Sequence, residues 1–375
     1  MSQRGGLTLL LIPCALTGLL LIPLEQAAPN EQRREHSSSK ECGQSARSRP
    51  DTRLREAFMG PIVEELERGK YDDLEAQFTQ FHRPGEELEE GSPKIWLYFA
   101  AFREKTASAL SLDDIQTFVR EAEKWTRAMP ASVAARLALC NALLGEATAI
   151  AELTRKGVFA TYDRTVAREL TAVLEECRSQ VINPPERLVS ALEAEPEFYD
   201  VAVQLLGWAT ADFAPIEAAF KEAGAVDPFY TPIYLRITIL LNSKGLREGG
   251  APKPGAWLTE ALKTDRADPE PVRKKKIATY AQTYGLLPAD VELDPQELDW
   301  PTLKVGLFQL AQTYKGSLDW PSRCLKAAYA FQDPEAAKEA LELIQGNYSP
   351  EVFQDPGAFS DISRWAEEAS KEKGQ

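Results

Sequence analysis

The chain has 375 residues, of which 44% are hydrophobic, enough for a continuous core and for one extended repeat domain behind a tail or two globular domains. Its net charge of −14 is unevenly placed, because residues 1–50 hold six Lys/Arg against four Asp/Glu and so leave −16 on the remainder. A body that acidic repels phosphate backbones, so no nucleic-acid partner is expected.

Residues 7–24 (LTLLLIPCALTGLLLIPL) carry no charge and follow Arg4 and the amino terminus. A basic start followed by an apolar run reads as a secretion signal or a single membrane anchor. As a helix the run spans about 27 Å, just short of a hydrocarbon core, and Pro13 and Gly18 weaken it further. Glu25 and Gln26 before Ala27 and Ala28 disfavour clean cleavage, and Pro13 disfavours a lipid-modified Cys14. The expectation is an exported protein, periplasmic or anchored to the cytoplasmic membrane, touching lipid only through residues 7–24. Residues 25–50 lack an apolar period and read as a flexible polar linker. Residues 51–375 read as one helical-repeat domain.

Within that domain helical patterns follow one another. Ala57, Phe58 and Ile62 open the first, with a kink expected at Pro61. Leu74, Phe78 and Phe81 mark the second, and a glutamate-rich loop follows. Residues 95–102 (IWLYFAAF) are apolar on nearly every side, which predicts a helix buried between neighbours. Ser111 and Asp114 form a capping box for a helix over 115–129. Val133, Leu137, Cys140, Ala142 and Leu144 give an Ala-rich helix, and Val166, Leu170, Val173 and Leu174 another, broken at Asn183-Pro184-Pro185. Helices follow over 197–208 and 213–223. The next, through Ile233, Tyr234, Ile237, Leu240 and Leu241, is apolar almost all round and expected to be central. Trp257, Leu258, Ala261 and Leu262 restart the pattern, residues 273–284 continue it, and Phe359, Ile362, Trp365 and Ala366 end it with a capping helix. Strand alternation is nowhere strong, and RITILL at 236–241 reads as helix.

Residues 299–344 set the architecture. They hold three short helical patterns, each introduced by an acidic residue and a proline: Asp299 with Pro301, Asp319 with Pro321, Asp333 with Pro334. Proline is tolerated in a first turn, where its missing N–H would have no partner. Gly316 is expected to end the first helix. The apolar faces are Leu303, Leu307, Leu310 and Ala311; then Leu325, Ala328 and Tyr329; then Ala336, Ala340, Leu341 and Ile344. Helices of about three turns are unstable alone and must stack. The expected fold is therefore all-α, an α-solenoid of stacked antiparallel helix pairs like a tetratricopeptide superhelix, behind the N-terminal apolar segment.

Chemistry is scarce. His36 and His82 stand apart from any cysteine, and Cys14, Cys42, Cys140, Cys177 and Cys324 form no CxxC. Cys140, Cys177 and Cys324 read as buried thiols, with a Cys140–Cys177 bridge conceivable only after export. Phosphate-binding, nucleophile-elbow and zinc-protease motifs do not occur. No catalytic, cofactor-binding or metal-binding residue is assigned, and no cofactor is expected. The best remaining chemistry is a carboxylate pair drawn from Glu195, Glu217, Asp299 and Asp319. For Asp299, Asp319 and Asp333, helix capping is the favoured role. Trp300 and Trp320 read as staples onto the following helix rather than sugar platforms. Tyr230, Tyr234 and Arg236 are candidates for a groove contact, with core packing favoured for the tyrosines. The basic run 273–276 reads as a solvated helix face rather than an anion site.

A resemblance adds to this. Asp227-Pro228 with Tyr230 and Tyr234, Asp299-Trp300-Pro301, Leu303-Lys304, Gly306, Ala330, Asp333, residues 336–341 and Val352-Phe353 form an ordered set. It resembles the uncharacterised bacterial proteins grouped as domain of unknown function 4034. That family more often has Trp where Phe353 stands, a difference that touches packing. Weaker similarity reaches back to about residue 60. The resemblance implies an all-helical, tetratricopeptide-like module and no assigned activity. The expected function is a non-enzymatic binding or scaffold module of the bacterial envelope that holds a protein or peptide in a concave groove. The alternatives are a carboxylate-pair glycosidase or other cell-wall enzyme on a helical superhelix, and a plain structural spacer.

Overall fold

The computed structural model describes residues 51–372, apart from 84, 110, 156–171, 173–174, 176–187, 211, 289–290, 292 and 354. The apolar segment at 7–24, the linker, Cys14, His36, Cys42, the pattern at Val166–Leu174 and Cys177 lie outside the described residues.

Among the described residues the fold is all-helical, with a single isolated bridge between Glu87 and Pro93 and no named strand. Helix α1 (Asp51–Glu67) runs through Pro61 and buries Met59, Ile62 and Leu66. Helix α2 (Tyr71–Phe81) buries Leu74 and Phe81. Helix α3 (Lys94–Ala107) is central: Tyr98, Phe99 and Phe102 are almost fully buried. Ser111 accepts from the Asp114 N–H to cap α4 (Leu112–Ala128), as the capping box predicts. Helix α5 (Val133–Arg155) lies along α3, and their backbones approach so closely that a Cβ on Gly145 would fall 2.0 Å from Thr106 Oγ1. Residues 133–151 are long and apolar enough to cross a membrane, yet 89% of that window is buried inside the fold. It is a core helix.

After α6 (Val189–Glu193), α7 (Pro196–Ala209) packs on α5 and on α8 (Ala214–Val226). Helix α9 (Thr231–Leu241) buries Ile233, Tyr234, Ile237 and Leu241 against α7, α11 (Pro254–Ala261) and α12 (Glu270–Leu286), so it is the central helix its all-round apolarity predicts. The short α10 (Lys244–Glu248) leads into α11.

Then α13 (Trp300–Thr313), α14 (Asp319–Ala330), α15 (Pro334–Ile344) and α16 (Pro356–Glu372) stack each on the next. Asp299 and Asp333 cap α13 and α15 through the N–H groups of Thr302 and Ala336. Asp319 does not cap α14. It lies inside the helix, buried, accepting from Ser349 and Arg323. Gly316 does not end α13 either, since that helix closes at Tyr314 and Gly316 keeps a negative φ. Tyr329, expected on the buried face, is 41% exposed and meets Trp365 of α16 edge-on.

Besides packing on neighbours in sequence, the helices make a contact between the first of them and residues 314–320. Ser317 Oγ donates to Asp51 Oδ2 at 2.5 Å. Trp320 Nε1 donates to the Glu90 carbonyl at 2.9 Å, and Tyr314 donates to Glu87 at 2.9 Å. The start of α1 and the turn between α13 and α14 therefore meet beside the loop before α3. Gly91 makes this possible: its φ is +90°, and a Cβ there would lie 2.3 Å from the Tyr314 ring.

Candidate functional site

The closure leaves a cleft of about 820 Å³, within the size range of ligand sites, about 300–1,000 Å³. Its walls come from sequence-remote elements: the C-terminal end of α2, the loop 85–93, the first turns of α3 and α7, residues 227–230 before α9, the middle of α12 and the last turn of α13. Aromatic rings (Trp96, Phe229, Tyr230, Tyr314) alternate with charged groups and with the amides Gln282, Gln309 and Gln312.

The lining carboxylates are engaged by the protein itself. Glu86 accepts from Lys94 at 2.7 Å, and that ammonium holds its carboxyl below the usual range. Glu87 accepts from Tyr314. Asp227 accepts from the Phe229 N–H at 2.9 Å. Glu195 lies 2.9 and 3.0 Å from His82 Nε2.

His82 follows the last residue of α2, and its Nδ1 is 2.7 Å from the Phe78 carbonyl. A carbonyl and a carboxylate can only accept, so both ring nitrogens are placed to donate, an arrangement that suits the imidazolium. Burial disfavours that charge, but the hydrogen bond and charge of Glu195 outweigh it, and the net shift is upward. In sequence 113 positions separate the two, and only the fold pairs them.

Behind the cleft wall lies a buried polar cluster. Tyr230 lines the cleft, and its hydroxyl donates to Glu197 Oε2 at 2.5 Å. Asn141 donates to Glu197 Oε1 at 2.8 Å, and Arg103 reaches Glu197 at 3.3 Å and Asp200 at 3.0 Å. Arg236 lies 3.5 Å from Asp200, and Gln204 donates to Asp200 at 3.0 Å. Burial and the neighbouring Asp200 push the Glu197 carboxyl up, while Arg103, Tyr230 and Asn141 oppose them. Three donors aimed at its two oxygens match the ionised form, which has only acceptors to offer. Two carboxylates and two guanidiniums then balance in a largely buried cluster.

Sequence reasoning missed this cluster; Asn141, Asp200 and Arg236 are polar residues within largely apolar helices, and Arg103 closes the apolar run of α3. Arg236, a candidate groove contact, belongs to the cluster and is not a lining residue. Tyr234 is buried and donates to the Pro228 carbonyl at 2.7 Å.

The other candidates scatter. Glu217 pairs with Lys221 on α8, Asp299 caps α13, and Asp319 sits in the closure. Trp300 stacks on Phe331 with ring centres 4.5 Å apart, and Trp320 bonds the loop before α3, so neither lines the cleft. In the basic run Lys274 and Lys275 are exposed, as a solvated face requires, and border the cleft, while Lys276 is tied to Asp268 at 2.8 Å.

Cys140 and Cys324 are fully buried, and burial pushes the Cys324 thiol up, away from the reactive thiolate. Among the described residues no group of three or more His, Cys, Asp or Glu is placed to hold a metal ion. Compared with protein families, curated proteins and solved structures, the chain matches none.

Proposed function

We propose that residues 51–375 form a binding module, a tetratricopeptide-like superhelix whose first helix meets the α13–α14 turn, and that its cleft holds a peptide segment of a partner. The observation that carries this reading is the state of the lining. Each of its carboxylates already has a partner within the fold, while aromatic faces and side-chain amides stand ready for an apolar side chain and a backbone amide. The resemblance to domain of unknown function 4034 agrees with such a module. With it goes the proposal that residues 7–24 export or anchor the chain at the bacterial envelope, which cell fractionation with and without those residues tests. The binding reading is tested by a photo-crosslinking side chain at Gln312, in the cleft, and another at Lys338, outside it. Peptide-containing adducts formed at Gln312 and absent at Lys338 support it; identical adducts at both positions refute it.

The rival is hydrolysis of a glycosidic bond, favoured by aromatic rings and four carboxylates in one cleft. That chemistry needs two carboxyl groups about 5–10 Å apart, one of them able to donate a proton. Release of reducing ends from soluble cell-wall glycans by the wild type, lost in Glu195→Gln, would replace the first reading with this one.

A further inference from the structure

The contact between the start of α1 and residues 314–320 holds more acid than base. Arg55 pairs with Glu90 at 3.0 Å, and Arg323 with Asp319 at 3.2 Å. Asp51 is left over: among the described residues its carboxylate meets only the hydroxyl of Ser317. That hydroxyl accepts from the N–H groups of Asp319 and Trp320 at 3.2 and 3.3 Å, so its one proton goes to Asp51 Oδ2. Asp51 Oδ1 and Glu90 Oε2 are buried and have no hydrogen-bond donor among the described residues. An ionised carboxylate offers only lone pairs in such a place, whereas a carboxyl that keeps its proton needs no counter-charge and adds a donor. The other neighbours do not restore the balance. Glu104 of α3 adds negative charge beside Arg55, and Ser349, after α15, is neutral and bonds Asp319. Burial is the largest influence on Asp51 and favours its neutral form; Asp319 and Glu90 add to it, and Ser317 and Arg55 oppose it.

The same segments build the cleft. The loop 85–93 brings Glu90 to this contact and Glu86 and Glu87 to the cleft lining, and Tyr314, just before Ser317, is a lining residue. Two bonds tie the loop to the segment, Tyr314 to Glu87 and Trp320 to the Glu90 carbonyl, both at 2.9 Å. We infer that this contact is a proton-dependent latch on the cleft: a proton held by Asp51 keeps α1, the loop 85–93 and residues 314–320 together, and its loss to solvent lets them part and widens the cleft. Parting gives the Asp51 carboxyl to water, where it ionises as an ordinary carboxylate. Between about pH 4 and 7 each opening therefore releases one proton, and opening becomes about tenfold more frequent per pH unit. Above about 7 both forms are ionised and the dependence ends. The latch acts on the wall, so it operates whatever the cleft binds.

The test is hydrogen exchange followed by mass spectrometry on the full-length protein from pH 5 to 8.5, each rate divided by the intrinsic amide rate at that pH. Protection over 85–93 and 309–320 should fall about tenfold per unit up to about pH 7 and then level off. At pH 7 it should also be about tenfold or more below that over 94–107, the mark of a local opening. Asp51→Asn has no proton to release and should hold protection in both segments level across the range. His82→Gln, on another wall of the cleft, should leave the wild-type slope in place. A wild type without a slope between pH 5 and 7 overturns the latch. Protection equal to that over 94–107 overturns it as well, because the segments then open only with the whole fold. A slope confined to 315–320, absent from 85–93 and 309–314, overturns the link to the cleft. A slope that survives Asp51→Asn gives the proton to another group and overturns the assignment. The wild-type comparisons do not depend on any variant folding.

Discussion

The hydroxyl of Ser317 donates to the carboxylate of Asp51, joining residues 266 positions apart. A strictly serial array, in which each repeat touches only its neighbours, has no such bond. Around it gather Arg55, Glu90, Asp319 and Arg323: Arg55 meets Glu90 at 3.0 Å, and Arg323 meets Asp319 at 3.2 Å. Three acids face two guanidiniums in a buried place.

That imbalance predicts a pH effect. Burial, partly offset by the Ser317 bond and reinforced by Asp319, raises the Asp51 carboxyl from 3.8 to about 7. A carboxyl that binds its proton more tightly in the folded chain stabilises the fold fully below the unfolded value, and the contribution is lost as pH rises to about 7. Asp51→Asn, which keeps the shape without the charge, should stabilise the protein at pH 8 by about 1–3 kcal/mol and flatten the dependence between pH 4 and 7. Urea denaturation across that range measures it. An unchanged slope would remove Asp51 from the account.

Gly91→Ala should loosen the closure. The substitution sets a side chain at φ +90° and drives it into the Tyr314 ring. A loss of about 2–4 kcal/mol is expected, with faster amide exchange over 85–93 and at the 314–320 segment. Gly85→Ala removes a left-handed glycine with open space around it, so the difference between the two variants isolates the clash.

Arg103→Met should be severe. It strands Glu197 and Asp200, 4% and 1% exposed in their side chains, without their shared guanidinium. Breaking a buried pair from one side costs about 3–5 kcal/mol. Adding Glu197→Gln and Asp200→Asn to it should recover part of the loss, a non-additivity that thermal melts will show.

His82 should titrate above an unperturbed histidine, because Glu195 holds the imidazolium against the cost of burial. Its stabilising contribution is present below pH 6.5 and disappears as pH rises through the higher folded value. With only His36 beside it in the chain, proton NMR follows it directly. Glu195→Gln should move the His82 midpoint downward and leave His36 in place.

How much of this was open to sequence reading depended on the range of the interaction. The α13 cap at Asp299, the α15 cap at Asp333, the box at Ser111 and the buried faces of α3 and α9 are legible because each depends on residues a few positions apart and on a 3.6-residue period. The same local rule misassigned Asp319, which has the spacing of a cap but spends its oxygens on Ser349 and Arg323. It read Lys274 and Lys275 as solvent-facing, and they are exposed, but nothing within one helix says that they border a cleft.

By itself, then, the sequence determined that the body is made of helices, where most of them begin, and which sides they hide, since propensity, capping and amphipathic period act within a turn or two of chain. The tertiary structure alone decided that Asp51 meets Ser317, that His82 meets Glu195, and that Arg103 meets Glu197 and Asp200. Those pairings follow from how whole helices cross and close, and residues so far apart in the chain leave no local mark of meeting.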